Sequence, residues 1–116
     1  MIKHIKPGQR LSGATVHNGI VYVSGQVPET PYADVGSQTK EILAKIDKLL
    51  AEAGTDKRNL LNTSIWLSDI STFDEMNKSW DEWIAPGPAP ARATVEARIA
   101  NPKWRVEIAV IAAVPA

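Results

Sequence analysis

The sequence predicts an α+β fold: a mixed sheet of four or five strands, rich in antiparallel pairs, with two helices on one face. Three observations carry this reading. Strand-like segments occupy both ends of the chain instead of alternating strictly with helices. Asn18-Gly19, the strongest short hairpin signal, stands between two of them. Two further stretches place their apolar residues on a single helical stripe.

Taken in order, the β-branched run Ile20 to Val23 and the turn before it predict antiparallel strands over 12–17 and 20–25. A loop containing Pro28, Pro31 and Gly36 follows. Apolar residues then recur at Val35, Ile42, Leu43, Ile46, Leu49, Leu50 and Ala53, the spacing of a long amphipathic helix. Asp34 is suited to cap its start, and Gly54 stands where a left-handed stop is wanted. Leu60–Leu67 returns to strand composition. Thr72 with Glu75 three residues on has the pattern of a capping box for a second helix, whose stripe runs Phe73, Met76, Trp80, Trp83 and Ile84. The proline-rich stretch Ala85 to Pro90 reads as a loop. Two last strands, about 91–99 and 104–113, meet at Asn101-Pro102 as an expected hairpin. That arrangement would put Arg92, Thr94, Glu96 and Arg98 on a polar sheet face left open by the helices, which association of subunits into a trimer would cover.

The 116 residues make one domain, 1–116, and 44% hydrophobic residues are ample for a core. Thirteen basic residues balance thirteen acidic ones, so the positive field of a nucleic-acid binder is missing and no nucleic-acid partner is expected. There is no cysteine, hence no disulfide and no thiolate nucleophile or ligand. The longest purely apolar run, Ile108 to Val114, falls far short of the roughly 20 residues that span a bilayer. No membrane partner and a cytoplasmic location are expected. His4 and His17 have no companion at metal-site or triad spacing, and no glycine-rich phosphate loop is present, so neither a metal nor a cofactor is expected.

Arg92 opens a strand directly after the rigid proline loop, and its planar fork matches a carboxylate. A solvated strand-end arginine is the bland alternative. Glu107 sits in an otherwise apolar strand, where partial desolvation would raise its pKa toward a range useful for proton transfer, unless Arg98 or Arg105 pairs with it. Ser24-Gly25 ends a strand, and Asn77 follows Met76 on the second helix. Either pair is as compatible with an ordinary strand end or helix flank as with a ligand site.

Read together, Tyr22-Val23-Ser24-Gly25-Gln26-Val27-Pro28, Pro90-Ala91-Arg92-Ala93-Thr94-Val95-Glu96 and Val106-Glu107-Ile108 resemble the Rid family (reactive intermediate deaminases, also called YjgF or L-PSP). The order and spacing of elements agree over nearly the whole chain. The resemblance implies a chorismate-mutase-like homotrimer with ligand pockets between subunits. It implies hydrolysis of 2-aminoacrylate and related enamine or imine acids to 2-keto acids and ammonia, without metal or organic cofactor. Position by position, Arg92 matches the arginine that clamps the substrate carboxylate and Glu107 the carboxylate that positions water. Ser24 and Asn77 match pocket-lining positions, and the backbone at Thr94 lies close to the pocket. Leu11 or Ser12 stands where an aromatic is usual, Ala109 replaces a second carboxylate, and Asn101-Pro102-Lys103-Trp104 replaces a Leu-Pro turn. These departures resemble a YoaB-like branch.

The expected function is therefore imine/enamine deamination, with a small carboxylate-bearing metabolite as partner. A non-catalytic carboxylate-binding regulator is the main alternative, and ribonuclease activity or translation inhibition a less favoured one, because the charge balance and the histidines do not suit it. In a simple terminal hairpin Glu107 would pair near Glu96, several residues from Arg92. This geometry is what suggests sites shared between the subunits of a homotrimer.

Overall fold

The computed structural model describes residues 1–30 and 33–116; the expected loop residue Pro31 lies outside them. Six strands form one sheet: β1 (Lys3–Pro7), β2 (Ser12–His17), β3 (Ile20–Gln26), β4 (Leu60–Leu67), β5 (Ala91–Glu96) and β6 (Val106–Ala113). Helices α1 (Val35–Ala53) and α2 (Phe73–Ile84) pack against each other and against the sheet, with short 3-10 turns at Lys57–Asn59 and Ile70–Thr72. The sheet order is β1-β2-β3-β6-β4-β5. All pairs are antiparallel except β4 with β5, which is parallel.

Local chemistry explains the ends of α1. The Asp34 carboxylate accepts from the Ser37 N–H at 2.7 Å, and this bond holds its pKa below the usual carboxylate range. Gly54 takes the left-handed conformation, φ 88°, that closes the helix. The buried stripe Ile42, Leu43, Ile46 and Leu50 lies on Val21, Ile65, Leu67, Ile108 and Val110 from the sheet. Each such large aliphatic side chain taken out of water contributes about 1.5–3 kcal/mol. Asn18 (φ 52°) and Gly19 (φ 74°) supply the hairpin turn as expected.

Four expectations are corrected. Among the described residues there are six strands, not four or five: β1 was hidden because Ile5 is its one buried residue. The terminal hairpin is absent. β6, buried at every second position, inserts between β3 and β4, while β5 ends at Glu96 and pairs parallel to β4. A parallel pair needs a crossover element, and α2, lying between β4 and β5 in the chain, is that element. The polar face of β5 points the other way from expectation, because Arg92, Thr94 and Glu96 stand opposite Thr63, Ile65 and Leu67, all buried beneath the helices. Ala93 and Val95 face away from them, so this part of the open face is apolar. Finally, Thr72 makes no side-chain cap. Its hydroxyl donates to the Asp69 carbonyl at 2.6 Å, and Glu75 accepts instead from the Gly36 N–H at 3.1 Å, tying α2 to the start of α1.

Candidate active site

Arg92 leaves β5 toward α2. Its guanidinium lies 5.3 Å from the centre of the Trp80 ring and 5.8 Å from that of Phe73. No carboxylate forms an ion pair with it among the described residues, although Asp81 is near enough to favour its charge. Partial burial pulls its pKa down from the ordinary value, but an arginine remains charged at any physiological pH. The aromatic rings hold the stem and plane of the group, which leaves its edge N–H donors for an anion.

Asn77, half-buried, stands four residues after Phe73 and three before Trp80, on the α2 stripe that carries both rings. The Thr94 hydroxyl is buried without a hydrogen-bond partner, and so is that of Thr63, which pairs directly across from Arg92. Two orphaned hydroxyls beside one unpaired guanidinium make a polar spot on an otherwise apolar helix-facing surface.

Glu107 stands on the opposite face, between the buried Val106 and Ile108, and its cross-strand partner is Trp66. Its carboxylate has no hydrogen bond or ion pair among the described residues, and partial burial raises its pKa above the ordinary value. Neither Arg98 nor Arg105 pairs with it. The side chain lies over Gly25: a Cβ placed there would sit 2.0 Å from Glu107 Oε2 and 3.0 Å from its Cδ. A register shift between Val23 and Gln26 puts the Ser24-Gly25 bulge at this point. Ser24 donates through its hydroxyl to the Gly13 carbonyl at 3.0 Å, and Gln26 Nε2 donates to the Ser24 carbonyl at 3.0 Å.

The structure thus groups the expected site residues into two clusters: Arg92, Thr94 and Asn77 on the helix side, Glu107 and Ser24 on the open side. Arg92 is in register with Thr63 and Glu107 with Trp66, three residues farther along β4 and one strand beyond it. Their backbones are therefore separated by roughly 10 Å across the strands and roughly 10 Å along them. One small molecule cannot touch both within one chain. Sequence reasoning placed Phe73 and Trp80 in the core and so missed them as the platform of Arg92. Two aromatics seven residues apart, flanking a polar residue, were the available signal. Thr63 carried none. Among the described residues no group of three or more His, Asp or Glu is placed to hold a metal ion.

Residues 1–114 match the family described as endoribonuclease L-PSP. A RutC family protein of Haemophilus ducreyi is 46% identical over 114 residues, covering 98% of this chain and 97% of that one. The RutC family protein YoaB of Escherichia coli is 43% identical over 113 residues, covering 97% and 98%. In three dimensions a YjgF-family protein from Neisseria meningitidis superposes with a TM-score of 0.96 at 44% identity, over 100% of this chain and 97% of its own.

Proposed function

Because the chain belongs to the Rid family of endoribonuclease L-PSP, YjgF and RutC proteins, on its YoaB-like branch, we propose that it hydrolyses small enamine and imine acids such as 2-aminoacrylate to 2-keto acids and ammonia. The observation that carries this reading is the state of Arg92: a half-buried guanidinium held on two aromatic rings, with Asp81 nearby but no carboxylate in ion-pair contact with it among the described residues. Such a group recognises a planar carboxylate through two parallel charge-assisted hydrogen bonds. Thr94 and Asn77 line the same spot.

After tautomerisation of the enamine, water adds to the imine carbon, giving a carbinolamine that expels ammonia and leaves the keto acid. Glu107, with its pKa raised by burial, takes the proton of the attacking water and returns it to the departing nitrogen. Ser24, beside it, lines the water side. Because Arg92 and Glu107 belong to opposite sheet faces, the complete site joins the Arg92 side of one subunit to the Glu107 side of the next, in a cyclic homotrimer. The Ala93 and Val95 side of β5, facing away from the helices, suits such packing.

The test follows 2-keto-acid formation from enzymatically generated 2-iminobutyrate. A rate above buffer that is lost in Arg92→Ala and in monomeric variants is expected, and a rate equal to buffer refutes the proposal. Light scattering should give about three times the 12.6 kDa chain. A fully active monomer refutes the shared site. The separation of Arg92 from Glu107 within one chain favours a second reading, a carboxylate-binding regulator. Thermal stabilisation by 2-ketobutyrate or benzoate without turnover would establish it.

A further inference from the structure

A second cleft, which includes neither Arg92 nor Glu107 in its lining, opens between α1 and the end of β1, with a volume of about 460 Å³, within the size range of small-ligand sites. Three lysines, Lys6, Lys45 and Lys48, line it together with Glu29 and Glu41. Both acids already have partners at the cleft. Glu41 accepts from the backbone N–H groups of Glu29 and Thr30, which hold its pKa below the usual range. Lys45 Nζ donates to the Val27 carbonyl at 2.7 Å and lies 3.7 Å from the Glu29 carboxylate. Lys6 and Lys48 are solvent-exposed and have no hydrogen bond or ion pair among the described residues, and three lysines against two carboxylates leave the cleft one net positive charge.

The backbone adds an independent observation. Lys6 has φ 49°, in the left-handed region where a residue with a Cβ is disfavoured by about 1–2 kcal/mol and glycine is not. Gly13 lies against it: a Cβ at Gly13 would be 3.5 Å from the Lys6 Cβ and 3.1 Å from Leu49 Cδ2. The tight neighbour at Gly13 is thus Leu49, and Lys6 stands in ordinary contact distance beside it. A non-glycine residue in strained backbone at the edge of a cavity motivates the reading of a ligand site.

We propose that this cleft binds a small phosphate-bearing anion, with Lys6 and Lys48 as its two point-charge contacts. A phosphate dianion suits two separate ammonium groups, which lysine supplies as point charges. The proposal does not depend on the deaminase reading.

Phosphorus-31 NMR titration of the full chain with inorganic phosphate and pyrophosphate, at constant ionic strength, tests it. Saturable line shifts at millimolar or lower concentration are expected. In an Arg92→Ala background, where the guanidinium no longer competes for the anion, Lys6→Gly and Lys48→Ala should each weaken binding at least tenfold. Lys6→Gly should also raise Tm, because it relieves the left-handed lysine, so lost binding cannot be attributed to lost folding. Titration that never saturates, or binding unaffected by either lysine substitution, or phosphate displaced by equimolar chloride, would overturn the proposal.

Discussion

Gly25→Ala is the sharpest probe of how Glu107 is placed. The new Cβ would lie 2.0 Å from Glu107 Oε2, well inside the 3.4 Å at which ordinary contact begins, and its three nearest neighbours are all atoms of the Glu107 side chain. Relief therefore comes from swinging one side chain, not from moving backbone. Forcing Glu107 off its preferred rotamer costs about 0.5–1.5 kcal/mol. Gly25 is outside the left-handed region, so alanine there returns about 0.4–1 kcal/mol by restricting the unfolded chain. The net change in stability should stay within about 1 kcal/mol, a shift of about 4–8 °C in Tm at most. The site responds differently, because a carboxylate displaced by about 1 Å loses on the order of a hundredfold in rate. Thermal melts and keto-acid assays on Gly25→Ala, Glu107→Ala and the double variant form the experiment. In the Glu107→Ala background the clash partner is gone, so Gly25→Ala should become neutral or stabilising, with a coupling of about 0.5–1.5 kcal/mol. An equal cost in both backgrounds, or a loss above about 3 kcal/mol in the parent chain, would show that Gly25 is obstructed by backbone and that Glu107 does not lie over it.

Three further outcomes are expected. Glu107→Gln should stabilise the protein at neutral pH: the folded-state pKa is raised above the ordinary 4.5, so the parent's stability is greatest below that value and falls as pH rises through the raised one. Melts from pH 4 to 8 should show the two proteins diverging with rising pH, and a constant difference contradicts the burial argument. Arg92→Lys keeps the charge but loses the fork, and should weaken carboxylate binding by about 1.5–3 kcal/mol, read as a roughly 10- to 150-fold rise in Kd for 2-ketobutyrate by calorimetry. Gln38→Ala removes a fully buried amide that donates to the Ala33 and Lys103 carbonyls and accepts from the Arg105 N–H, two residues before Glu107. Urea unfolding should register a loss of about 2–4 kcal/mol, and a loss under about 1 kcal/mol would mean that the 101–105 turn is held by other contacts.

Features that depend on neighbours in the chain were legible in the sequence. The Asn18-Gly19 turn, the Asp34 cap, the Gly54 stop and the apolar stripe of α1 are decided within a few residues, because they rest on φ preferences, one side-chain bond and a 3.6-residue period. Arg92 and Glu107 stood out too, as an arginine set after a proline-rich loop and a carboxylate within an apolar strand. Strand order was not. Whether β6 pairs with β5 or slips between β3 and β4 depends on which surface its alternate buried residues can cover, and that surface is assembled from distant segments. From that choice follows the sheet face to which Arg92 points, since a strand's side chains alternate and the register with β4 decides which set faces the helices. The sequence by itself determined both helices and most of the strands, and marked Arg92 and Glu107 as candidates. Tertiary structure alone decided that Arg92 rests on Phe73 and Trp80 while Glu107 lies over Gly25 on the far side, because side-chain direction in a sheet is a property of pairing and not of the strand.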